Sequence, residues 1–151
     1  MSCFDDAKAL VDHSKETFKR ITEIYNQSLK EKEIKSTLLI EIKNFMENLR
    51  SALDYTAHGV FDKYGSSYKG DPKIYFPYAS ISESMNDFRN KKRIEYCIPG
   101  IEKRRPDILT KIESYQHFSD KNNKWLPLFM DLNNENKHQK LTPQNRKEYK
   151  E

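Results

Sequence analysis

Apolar residues fall at helical spacing almost from the first residue. Phe4, Ala7, Val11, Ser14, Phe18, Ile21 and Tyr25 step by threes and fours, with Leu10 and Ile24 alongside, which predicts a helix from about Phe4 to about Lys30 with this set as its buried face. Ser2 three positions before Asp5 forms a short capping box. The charged stretch KEKEIK at 30–35 reads as a bend. A second and stronger pattern runs from Ser36 to Tyr64, with Leu38, Ile42, Phe45, Met46, Leu49, Leu53, Ala57 and Val60 on one stripe, no proline inside it, and Gly65 as its stop. Two long helices joined by a short link are expected to pack antiparallel.

Beyond Gly65 the pattern shortens. Gly65, Gly70, Pro72 and Pro77 punctuate residues 65–80, a loop in which IYF serves as an anchor or a very short strand. Ser82 to Tyr96 is expected to be one helix with Met85, Phe88 and Ile94 facing inward, ended by IPG at 98–100. Pro106 starts another through Tyr115. SDKNNK at 119–124 is a turn, and the final helix runs from about Trp125 to about Lys140, with Pro127 in its first turn and Thr142–Pro143 after its end. The fold class is therefore all-α: an antiparallel bundle built on two long N-terminal helices plus shorter C-terminal ones. Residues 1–145 form one domain, and 146–151 a frayed charged tail, the point at which a longer chain would have been cut.

Composition narrows the class further. The chain has 151 residues, 36% apolar and 33% charged, a length that suits one domain. Its net charge of +4 is compatible with nucleic acid without requiring it. Cys3 and Cys97 are the only cysteines and neither stands at ligand spacing, so neither a metal centre nor a disulfide framework is expected, and a reducing cytoplasm fits. No apolar run is long enough for a signal peptide or a membrane span. Phosphate-cradling glycine loops, GxSxG and HExxH are all missing from the sequence, so no cofactor is expected.

Candidate chemistry lies on two helices. On the second, Glu47, Arg50, Ser51, Asp54 and His58 form a polar stripe beside the apolar one, in which Asp54 is placed to pair with Arg50 and to orient His58. The same stripe suits an ordinary solvated face. On the final helix Asn133 and Asn136 fall inside the apolar arc of Trp125, Leu126, Leu128, Phe129, Met130 and Leu132, Lys137 near its rim, and Asn134 and His138 just outside. A buried amide without a partner costs about 1–3 kcal/mol, so the asparagines are expected to bond the Arg50–Asp54 stripe in a polar seam. That seam would be a structural device, a subunit interface or an active site, with His138 as a proton carrier beside Lys137 or as a helix-terminal cation. The basic runs at 91–93 and 102–105 would touch phosphate or simply face solvent.

In the order NLRSALDYTAHGVF (48–61), IYFPYA (74–79) and WLPLFMDLNNENKHQKLTP (125–143), the chain resembles a group of uncharacterised bacterial helical proteins, members of which often continue into a β-rich tail. More distantly, the layout resembles HEPN domains, small helical bundles of toxin and phage-defence systems. That resemblance implies a homodimer, a protein partner such as an antitoxin, and metal-independent cleavage of RNA through the 2′-hydroxyl. The motif would place His138 as the histidine and Asn134 as the polar residue. Asn133 stands where the motif has arginine, and an amide lacks that charge, so Lys137 or Arg50 would take over the phosphate. The alternative is a non-catalytic module that dimerises or binds a partner.

Overall fold

In the computed structural model, residues 2–66 and 73–138 are described, with side chains of the last helix as far as Asn136. Helices α1 (Cys3–Glu31) and α2 (Ser36–Tyr64) form the long hairpin. The capping box is present: the Asp5 amide donates to the Ser2 hydroxyl at 3.2 Å, and the Ser2 amide donates to the Asp5 carboxylate at 3.0 Å. At the other end Lys32 takes a left-handed conformation (φ 55°) and its N–H closes back onto the Ser28 carbonyl, which ends α1 without a glycine. Contacts of Cys3 with Asp62, Phe18 with Phe45 and Arg20 with Glu41 fix the two helices antiparallel.

The inner faces of the hairpin are lined with small residues. Ala7, Ser14, Thr17 and Ser28 are buried on α1, and Ala52, Ala57 and Gly59 on α2. A Cβ on Gly59 would stand 2.8 Å from the Phe4 ring, so the missing side chain there makes room for that ring. The face read from the sequence is thereby split. Its small members are buried, whereas Phe4, Val11, Phe18 and Tyr25 are 40%, 38%, 57% and 45% exposed. The two sets are three residues apart on the helix, about 60° around its axis, and the small set is the one turned toward α2.

Short helices complete the bundle: α3 (Met85–Asn90), α4 (Arg93–Cys97), α5 (Ile101–Arg104), α6 (Pro106–Ser114) and α7 (Trp125–His138), the last entered through a 3-10 turn at Lys121–Lys124. No strand occurs among the described residues. The expected single helix over Ser82–Tyr96 is broken at Lys92, whose φ is 48°, and Met85 is 39% exposed rather than inward. The buried Glu83 carboxylate explains the break: it accepts from the Ser80 amide and holds Lys91 and Arg93 on either side of Lys92. Gly100 (φ 90°) starts α5, and a Cβ there would lie 2.5 Å from the Ser66 amide nitrogen. The core gathers Ala57, Ile74, Phe76, Ala79, Phe88, Ile94, Ile98, Ile101, Ile112, Leu126 and Met130 against α2. None of the described helices is long and apolar enough to cross a membrane.

Candidate functional site

An extended strap, residues 73–80, runs through this core, with Ile74, Phe76, Pro77 and Ala79 buried. It pairs with no strand among the described residues, so its buried backbone groups need other partners. Side chains supply them. Asp54 Oδ1 accepts from the Phe76 amide at 2.9 Å. Gln116, 1% exposed, accepts from the Ala79 amide at 2.9 Å and donates to the Pro77 carbonyl at 3.0 Å. His117 Nε2 lies 2.8 Å from the Ser80 carbonyl, and because a carbonyl only accepts, that nitrogen carries the proton.

The Arg50–Asp54 pair forms as the spacing predicts, at 3.2 Å, with side chains 19% and 32% exposed. Its remaining contacts differ from the expected seam. The Arg50 guanidinium lies 5.5 Å from the Tyr78 ring centre and donates to the Met130 thioether. Asp54 uses one oxygen on Arg50 and the other on the strap. His58, half-buried one turn on, makes no bond to it. Asn133 and Asn136 are buried as read, 3% and 5% exposed, but neither bonds Arg50 or Asp54. The Asn136 amide points at the Met46 thioether, 3.8 Å away, and Asn133 Oδ1 has no partner among the described residues. Asn134 is exposed and reaches the Tyr78 hydroxyl at 3.5 Å. Both Asp54 oxygens instead accept from Arg50 and from the strap, while Asn136 faces Met46. The side chains of Lys137 and His138 lie outside the described residues.

The cations of the basic runs are largely engaged. Lys91 and Arg93 both pair with Glu83, and Arg104 donates to the Gly65 carbonyl. Arg105 stacks on Tyr64 at 4.3 Å and pairs with Asp107, whose carboxyl it lowers to about 2. Burial pushes the Cys97 thiol up to about 11. Among the described residues no group of three metal-ligating side chains converges.

Comparison with known proteins found no matching family model, no matching curated protein and no matching solved structure.

A second feature was not read from the sequence. Along the N-terminal half of α1 an open groove of about 630 Å³ has Phe4 and Val11 on one wall, Leu49 and Leu53 on its floor, and Trp125 and Phe129 on the other wall. Lys8, Asp12 and Lys15 form its rim, with Asp12 2.9 Å from Lys8 and 3.7 Å from Lys15. Trp125 and Leu128, expected inside the bundle, are 54% and 57% exposed here. The signal was present: large apolar residues at 4, 11, 18 and 25 repeat every seven, as do the small ones at 7, 14, 21 and 28 apart from Ile21, and the two stripes are separable before folding.

Proposed function

We propose that this chain is a non-catalytic helical interaction module whose groove between α1, α2 and α7 receives an amphipathic helix. The observation that carries this reading is the groove itself, about 630 Å³ walled by Phe4, Val11, Trp125 and Phe129 in a chain only 36% apolar. An open groove lined mainly by large apolar side chains is the surface that an amphipathic helix lays its apolar face into. The polar residues of α2 support the same reading, since Asp54 and Arg50 are spent on the strap, Tyr78 and Met130. Trp125 is the sole tryptophan and serves as the reporter. An open groove binds an apolar dye such as ANS with energy transfer from Trp125. An occupied groove shields Trp125 from acrylamide, and Val11→Glu abolishes whichever signal is found while leaving the far-UV dichroism unchanged. Free quenching of Trp125 together with no dye binding overturns the reading.

A second reading, an HEPN-like metal-independent ribonuclease, draws on one observation: Arg50 reaches α7 at Met130, one turn before Asn133 and Asn134 on the helix that continues to Lys137 and His138. Cleavage of structured RNA that survives EDTA and disappears in His138→Ala would establish it over the first.

A further inference from the structure

Resting on the groove as a docking face, we infer that its occupant is a second copy of this chain, with α1 packed antiparallel on the partner's α1 about a two-fold axis between Val11 and Phe18. The exposed stripe of Phe4, Val11, Phe18 and Tyr25 has two unlike halves. The N-terminal half is a hole, the groove between Val11, Leu53 and Trp125. The C-terminal half is a ridge of Phe18, Thr22, Tyr25 and Leu29, all exposed and none charged, and none of them lines that groove. Antiparallel pairing lays each ridge into the other copy's hole, Phe18 beside the partner's Val11 and Tyr25 beside the partner's Phe4, the reciprocity that a two-fold contact requires. Parallel pairing would set hole against hole and leave both empty.

Charge favours the same direction. The flanking positions carry Lys8 and Lys15 in the N-terminal half and the neutral Thr22 and Leu29 in the C-terminal half. Parallel helices would oppose like lysines along the seam, whereas antiparallel ones place Lys8 over Thr22, where its aliphatic stem covers apolar surface. Only Lys15 then lies near the axis, its charge offset by Asp12 at 3.7 Å. From Phe4 to Tyr25 the stripe is about 32 Å long and about 10 Å wide, a footprint of roughly 300 Å² to which Trp125 and Phe129 on the far side of the groove add. The seven-residue repeat implies a left-handed crossing of the two α1 helices.

The test is solution mass by sedimentation, read together with acrylamide quenching of Trp125. The expected result is twice the 18.0 kDa chain mass for the wild type. Phe18→Glu, which alters the ridge and not the groove, is expected to halve that mass, to expose Trp125 and to open the groove to dye, with helicity retained. Tyr25→Glu serves the same purpose should the loss of the Phe18–Phe45 contact unfold the first variant. Direction is read from cysteines introduced in a Cys3→Ser background under oxidised glutathione: Lys15→Cys should cross-link between copies and Lys8→Cys should not, whereas parallel pairing would cross-link both. A wild type that stays at 18.0 kDa and binds dye overturns self-pairing and leaves the docking face standing. A monomer that binds none overturns both. A dimer indifferent to both ridge variants places the interface elsewhere.

Discussion

Replacing Asp54 by alanine separates a structural clamp from a solvated ion pair. The carboxylate makes two bonds of different worth. The i,i+4 pair with Arg50, with side chains 19% and 32% exposed, is worth about 0.3–0.5 kcal/mol after screening by solvent. The bond from the Phe76 amide is made to a charged acceptor beside a side chain only 8% exposed, and breaking it orphans a buried donor at a cost of about 1.5–3 kcal/mol. Asp54→Ala should therefore cost about 2–3 kcal/mol, a fall of roughly 4–12 °C in melting temperature for a chain of this size. Asp54→Asn keeps an oxygen facing Phe76 and loses the charge, so it should cost about 1 kcal/mol, the weakening expected when a charged acceptor becomes neutral. The assay is urea unfolding followed by dichroism at constant slope, with thermal melts alongside. Two results would refute the reasoning. An alanine variant within about 0.5 kcal/mol of wild type would mean that the strap is not held there. An asparagine variant as damaged as the alanine one would assign the effect to charge rather than to the acceptor.

Two further outcomes follow from buried groups. Asn133 Oδ1 lies in the core without a partner among the described residues, so Asn133→Leu should gain about 1 kcal/mol by removing an unmet acceptor, seen as a higher urea midpoint; a loss of that size would show that the amide has a partner in solution. Burial raises the Cys97 thiol from 9.0 to about 11, so the folded state keeps this proton longer than the unfolded chain. Its contribution is present in full below pH 9 and is lost as pH rises through 11, and unfolding free energies of wild type and Cys97→Ala should converge over that window; parallel curves would contradict it.

What could be read from the chain was whatever depends on neighbours in sequence. The bounds of α2, its stop at Gly65 and the Ser2–Asp5 box all rest on residues within a turn of each other, and the structure places them as read. The break at Lys92 was illegible because no glycine or proline marks it; it is set by Glu83, nine residues back, reaching across to Lys91 and Arg93. Burial of Asn133 and Asn136 was legible from their position on the helical arc. Their partners were not, because the residue expected to meet them answers instead to a strap amide 22 positions away. Gln116, the most buried of the clamps, gave no signal at all: an amide between a tyrosine and a histidine looks like the end of any exposed helix until the strap arrives beside it.

The placement of residues on α1 argues for a contact that one chain does not make alone. A helix shaped only by its own fold would bury its largest apolar side chains and leave the small ones to water. Here Ala7, Ser14 and Ser28 are inside while Phe4, Val11, Phe18 and Tyr25 stand at the edge. Fully burying one such side chain stabilises by about 1.5–3 kcal/mol, so four of them left 38–57% exposed forgo several kcal/mol between them. Small inner residues bring α1 close to α2, and that closeness is what turns the large ones outward into a continuous stripe ending in the groove at Trp125. The hairpin's tightness and its unfilled groove are thus one feature of the sequence, and the stability forgone within a single copy is recovered when a second helix covers the stripe.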